Sequence, residues 1–135
     1  MLTIDEAYGI ARIEFDGLLT IGSITDAMLE LQRHSGSTDM GLIWDFTHGD
    51  LSSFRSRELS ALAHSLANRR EYLPTHIAMI TARGLEYGVL RMWQVYAEPI
   101  AGVHWHLVAD EISAREWLLQ RHRHHSPKPR QLVNR

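Results

Sequence analysis

Five groups of side chains in this sequence have types and spacings that could do chemistry. Ser52 and Ser53 follow Asp50 where a helix is about to begin. A serine there serves as a helix N-cap, or accepts a phosphate that exposed N–H groups and the helix dipole would stabilise. His104 and His106 occupy alternate positions of a strand and share one of its faces. Two imidazoles so placed begin a chelate for zinc or another divalent cation, although no spacing fixes a third ligand. The plainer reading is a pair of exposed histidines near a sheet edge. Asp45 closes a central strand, and with His48 and Asp50 forms a polar cluster where α/β folds place their crevices. A strand-end aspartate also serves simply to hydrogen-bond the loop backbone. Tyr87 and Arg91 open a helix rich in aromatic residues and could border the same crevice. His122, His124 and His125 could capture nickel or copper in vitro, but their spacing defines no site.

Other chemistries are excluded. There is no cysteine, which removes thiol nucleophiles, disulfides, zinc ribbons and redox switching. No Gly-x-Ser-x-Gly elbow and no glycine-rich phosphate loop occurs. No catalytic residue is assigned, no cofactor is implied, and the expectation is a protein that is not an enzyme.

Positioning these residues requires alternating strands and helices. Leu2–Ile4 and Gly9–Phe15 read as a hairpin, with Asp16-Gly17 breaking or bulging the second strand before Leu18–Thr20 continues it. Ser23 to Asp26 reads as a capping box opening a helix near 24–35, with Ile24, Ala27, Met28 and Leu31 on one face. Residues 41–46 are an apolar run with the character of a buried strand, followed by a loop over 47–50. The second helix is expected near 53–70, capped by Ser52 or Ser53, with Leu59, Leu62, Ala63, Leu66 and Ala67 inward. Residues 76–82 give the strongest strand signal. The third helix, near 85–97, should bury Leu85, Val89, Met92, Trp93, Tyr96 and Ala97. Residues 103–108 alternate cleanly and suit an edge. A last helix near 112–121 turns Ala114, Trp117 and Leu118 inward. Strands joined through helices favour parallel pairing. The expected fold is therefore α/β, a mixed sheet of four or five strands with four helices. Trp44 and Trp93 should be far less accessible than the His104 ring.

The 135 residues suit one domain, with a boundary expected at 121 and a basic tail over 122–135. Five of the 14 Lys and Arg residues fall in 121–135, where there is no acid, leaving residues 1–120 with a net charge of −7. The tail can meet a neighbouring subunit or an acidic face by attraction that fades with salt. The acidic body argues against nucleic acid as a partner. No apolar run approaches the roughly 20 residues of a membrane span, and the N-terminus does not read as a secretory leader. The expected location is the cytoplasm.

This element order, with its landmarks, resembles the STAS superfamily, typified by bacterial anti-sigma-factor antagonists, and more closely the small stand-alone bacterial STAS/CRAL-TRIO-like proteins. Phe15-Asp16-Gly17-Leu18-Leu19-Thr20 is similar to the family's Gly-x-Leu-Thr step into the first helix. Leu42 to Phe46 resembles its central strand ending in Asp. Ile77–Ile80 with Tyr87–Met92, and Val108–Glu111 with Ala114, Trp117 and Leu118, resemble patterns of the stand-alone group. The resemblance covers residues 1 to about 120 and implies a non-enzymatic protein-interaction or regulatory module with a protein partner, a homodimer being one arrangement. In the antagonists a serine opening the second helix is phosphorylated, within Asp-Ser-Ser-Gly. Here the stretch is Asp50-Leu51-Ser52-Ser53-Phe54, without the glycine and with the aspartate one place earlier. The related lipid-transfer fold implies an alternative, a carrier of a small apolar ligand or lipid in a crevice near Asp45, His48, Tyr87 and Arg91.

Overall fold

The computed structural model describes residues 1–34, 36–81 and 84–125. The elements in chain order are β1 (Leu2–Asp5), β2 (Ile10–Leu18), α1 (Ile21–Gln32), β3 (Gly41–Asp50), α2 (Ser56–Ala67), β4 (His76–Ile80), α3 (Gly84–Ala97), β5 (His104–Val108) and α4 (Glu111–His125), with short 3-10 turns at Ser37–Asp39 and Arg70–Tyr72. The five strands form one sheet in the order β1-β2-β3-β4-β5. The opening hairpin pairs antiparallel and the other three pairs are parallel. The α/β class, the mixed sheet, the hairpin and the edge position of β5 agree with the sequence pattern.

The strands alternate between two apolar faces. Ala11, Ile13, Phe15, Leu42, Trp44, Phe46, Ile77 and Met79 point to one side and meet α1, α2 and α3 through Ile24, Met28, Leu62, Leu66, Leu90, Trp93 and Ala97. Ile10, Ile43, Ala78 and Ile80 point to the other and meet Ala114 and Leu118 of α4. Progression from β2 to β5 in sheet order, through right-handed crossovers, puts the three connecting helices on one face. The last helix has no strand to return to and covers the opposite face.

Trp44 is the centre of the larger core. Its ring lies 6.1 Å from Trp93 and 5.0 Å from Trp105, and meets Phe15 and Phe46 edge-on at 86°. Its indole N–H donates to the Met28 sulfur at 3.3 Å. Trp44 and Trp93 are each 1% exposed, whereas His104 is exposed.

Several boundaries differ from the sequence reading. β3 continues to Asp50, so Thr47–Asp50 is strand, not loop. The cause is β2, which resumes pairing past a bulge between Glu14 and Asp16 and carries β3 along through Asp16↔His48, Gly17↔Gly49 and Leu18↔Asp50. α1 begins earlier than expected, because Thr20 and not Ser23 is its N-cap. Thr20 Oγ1 accepts the Ser23 N–H and Ser23 Oγ accepts the Thr20 N–H, both at 3.1 Å. On α3, Leu90 is buried and Met92 is 43% exposed, the reverse of the expectation for Met92, while Leu85 lies outside the described side chains. α4 runs past the expected boundary at 121 to His125, and residues 126–135 lie outside the described residues. Among the described residues no helix is long and apolar enough to cross a membrane.

Replacing Trp44 by alanine removes the ring that Phe15, Phe46, Trp93 and Trp105 pack around. Chemical denaturation should show a loss of about 3–5 kcal/mol. His104→Ala, on the exposed side of the edge strand, should stay within about 0.5 kcal/mol of the parent.

Candidate functional site

The segment after β3 is held before it becomes a helix. Asp50 Oδ1 accepts the Ser52 N–H at 2.9 Å, and the Phe54 N–H donates to the Leu51 carbonyl at 3.0 Å. Leu51 and Phe54, 2% and 5% exposed, anchor this turn in the core. α2 starts only at Ser56, with Arg55 as its N-cap residue. Glu58 Oε1 accepts the Arg55 N–H at 3.0 Å, and that hydrogen bond is the main cause of a Glu58 pKa below the usual carboxylate value. Neither Ser52 nor Ser53 therefore caps α2. The turn between Leu51 and Phe54 uses up the residues that the spacing had given to the first helical turn.

The two serines do different things. Both are exposed. The Ser53 hydroxyl donates to the Leu19 carbonyl at 2.7 Å, and the Leu19 N–H donates to the Asp50 carbonyl at 2.9 Å. The β3–α2 turn is thus clasped to the β2–α1 junction. Leu18, next to the clasp and paired with Asp50, is 61% exposed. Exposed Leu18, Ser52 and Ser53 stand together at the carboxyl ends of β2 and β3.

Asp45 belongs to a different place. It is 5% exposed and lies on the α4 face of the sheet. Its Oδ1 accepts from the Thr47 N–H at 2.9 Å and the Thr47 hydroxyl at 2.6 Å. Its Oδ2 accepts from Arg12 Nη2 at 2.5 Å. Burial works to raise the Asp45 pKa, but the Thr47 hydrogen bonds and the Arg12 charge overcome it and hold the carboxyl below its ordinary value. Arg12 also approaches Glu14 at 3.4 Å and Glu111 at 3.2 Å. Glu111 continues to Arg115 at 2.9 Å, and Arg115 to Asp5 at 3.2 Å. Burial favours the neutral form of Arg12, yet the surrounding acids raise its pKa, Asp45 foremost. This chain of ion pairs ties β1, β2 and β3 to the first turns of α4. Asp45 has both oxygens engaged and serves as a structural anchor.

The four residues assigned to one crevice do not line one. His48 is an exposed strand residue. Tyr87 is 49% exposed on α3, which packs on the face opposite Asp45. Arg91 borders an open groove beside β5 with Gln94, Val95, Glu98 and Trp105. The clefts between α1 and α2 and between α2 and α3 hold about 180 and 190 Å³, short of the roughly 300 Å³ at which small-molecule pockets begin.

His104 and His106 do share a face of β5, and both are exposed. Their rings take separate partners. His104 stacks on His76 at 4.9 Å between centroids, and His106 stacks on Trp117 at 4.8 Å. Among the described residues no three metal-ligating side chains gather into a group able to hold a metal ion. The side chains of His122, His124 and His125 lie outside the described ones. The sequence reading missed Arg12, Glu111, Arg115 and His76 as members of any cluster. An arginine between Ala11 and Ile13 on a strand was the available signal, since a charge there needs a partner.

No protein-family model, curated protein or solved structure matches this chain.

Two outcomes follow from the hydrogen bonds. Because the Asp45 pKa is lowered by folding, its contribution is complete above the unfolded value of about 3.9 and fades as pH falls through the folded value. Asp45→Asn should therefore cost about 2 kcal/mol at pH 7, and denaturation curves of the two proteins should converge as the solution is taken below about pH 4. Ser53→Ala should cost about 1 kcal/mol by loss of the clasp. Ser52→Ala should change the melting temperature little.

Proposed function

We propose that this chain is a non-enzymatic, STAS-like protein-interaction or regulatory module, and that it meets a protein partner through the β3–α2 turn and the adjoining end of β2. The observation that carries this reading is the exposed Leu18 beside the exposed Ser52, on backbone fastened by the Ser53–Leu19 and Leu19–Asp50 hydrogen bonds. A surface already fixed in shape loses little entropy when a partner binds, and a large apolar side chain at its centre supplies contact area. The closure of Asp45 by Thr47 and Arg12 supports a role other than catalysis, because a carboxylate so engaged is poorly placed to move protons. The clefts among α1, α2 and α3 are too small to bury a lipid, so those helices give a carrier less support than a docking surface.

On this reading Ser52 is the position at which added charge regulates binding. A carboxylate or phosphate there would have to be desolvated in a packed contact, whereas Ser53 is committed to the fold by its hydrogen bond to Leu19. The test places a photo-crosslinking benzoyl-phenylalanine at position 18, and separately at exposed position 112 on α4, in cells of the native host. A discrete crosslinked product is expected from position 18 alone, and Ser52→Asp should abolish it while leaving the melting temperature unchanged. Equal products from both positions, or none from position 18, would refute the proposal.

A further inference from the structure

The opposite end of the sheet carries a second concentration of functional groups. His76 and His104 are the first residues of β4 and β5 and stand directly across from each other. His106 follows on the same face of β5. Trp117 and Arg121 come down from α4. Together with Trp105, whose ring packs on Trp44 and Trp93 at the other face, these side chains line a groove of about 420 Å³. That is within the range of sites that hold small molecules.

The chemistry of the lining is one-sided. Among the described residues it contains three imidazoles, one guanidinium and the Trp117 indole, and no carboxylate. This is unusual company in a chain whose first 120 residues have an acidic excess. The groove is also built. His76 is 7% exposed, and its Nδ1 shares a hydrogen bond with the Thr75 hydroxyl at 3.0 Å, which fixes the plane of the ring. The His76 ring stacks against His104 and meets Trp117 at 5.6 Å and 64°. His106 stacks against Trp117 with 25° between the planes. The Arg121 guanidinium carbon lies 6.0 Å from the Trp117 ring centroid. The walls are thus flat aromatic surfaces held by one another, and the rim carries a permanent cation.

We infer that this groove binds a small molecule that joins a planar ring to an anionic group, the ring lying against the His and Trp surfaces and the anion meeting Arg121 and the imidazole N–H groups. Planar fork donors and ring faces are suited to that combination. Burial, and then the charge of Arg121, lower the His106 pKa. A bound anion offsets the second of these effects and would favour protonated His106. A mononucleotide and an aryl carboxylate both present this chemistry.

The inference is independent of the partner-docking surface, which lies at the other end of the strands. It is tested on the full chain by NMR titration at pH 7, following the His106 ring and Trp117 indole signals. The probes are AMP and indole-3-carboxylate, with adenosine and inorganic phosphate as the ring-only and anion-only controls. AMP or indole-3-carboxylate should move both signals and bind about tenfold tighter than either control, as one charge-assisted hydrogen bond would give. Tighter binding of AMP assigns the nucleotide class, and tighter binding of indole-3-carboxylate the aryl acids. Arg121→Gln, an exposed change that leaves the core alone, should weaken the better probe about tenfold. His104→Ala should weaken it as well, and Ser52→Asp should leave it unchanged. Failure of both probes to move the His106 and Trp117 signals, or equal affinity in the Arg121→Gln protein, overturns the inference.

Discussion

One helix must cover a face of the sheet that three helices cover on the other side. Five strands about 4.8 Å apart make a surface about 20 Å wide, while a helix with its side chains is about 10–12 Å across. The crossovers from β2 to β5 send α1, α2 and α3 to the same face, so α4 alone is left for the other. Ala114 and Leu118 seat it along the middle, on Ile10, Ile43, Ala78 and Ile80. A strip of sheet remains on each flank. The two flanks are filled with polar groups, with a chain of ion pairs on one and His76, His104 and His106 on the other.

The flank toward β1 is closed. Arg12 lies in it with three carboxylates around one guanidinium, and Arg115 links the outermost of these to Asp5. Pairs of this kind offset desolvation only when the geometry leaves few lone pairs unused. Here Thr47 supplies the remaining donors to Asp45. The flank toward β5 is open. Its rings stack in pairs and leave a groove, because β5 is an edge strand and, among the described residues, no further strand or helix crosses it. The same shortage of cover therefore produces a locked network on one side and an accessible aromatic surface on the other.

The carboxyl ends of β2 and β3 answer to a different constraint. There the bulge in β2 keeps the two strands paired to Leu18 and Asp50, which places the turn carrying Ser52 and Ser53 against Leu19. A loop that would otherwise be loose becomes a shaped surface. The proposed partner contact at this end and the proposed ligand groove at the other are separated by the length of the strands, so each can be altered without the other.

Hydrophobic periodicity by itself determined the number and order of the elements, the class of the sheet and most of the core. Burial of Trp44, Ile77, Met79, Leu62 and Leu118 follows from patterns of two and 3.6 residues that any packed version of this chain must satisfy. Polar positions carried no such period. That Asp45 would meet Arg12, 33 residues away, depended on the parallel register of β2 and β3, and that Arg115 would meet Asp5 depended on where α4 docked. The true cap of α2 depended on the turn anchored by Leu51 and Phe54, a tertiary contact that overrode the local preference of serine for an N-cap. His104 and His106 could be placed on one face from alternation, but His76 and Trp117 became their partners only through parallel register and the angle of a helix. Local periodicity sets which side chains must leave water, whereas the pairing of charges and rings is set by distances that only the folded chain defines.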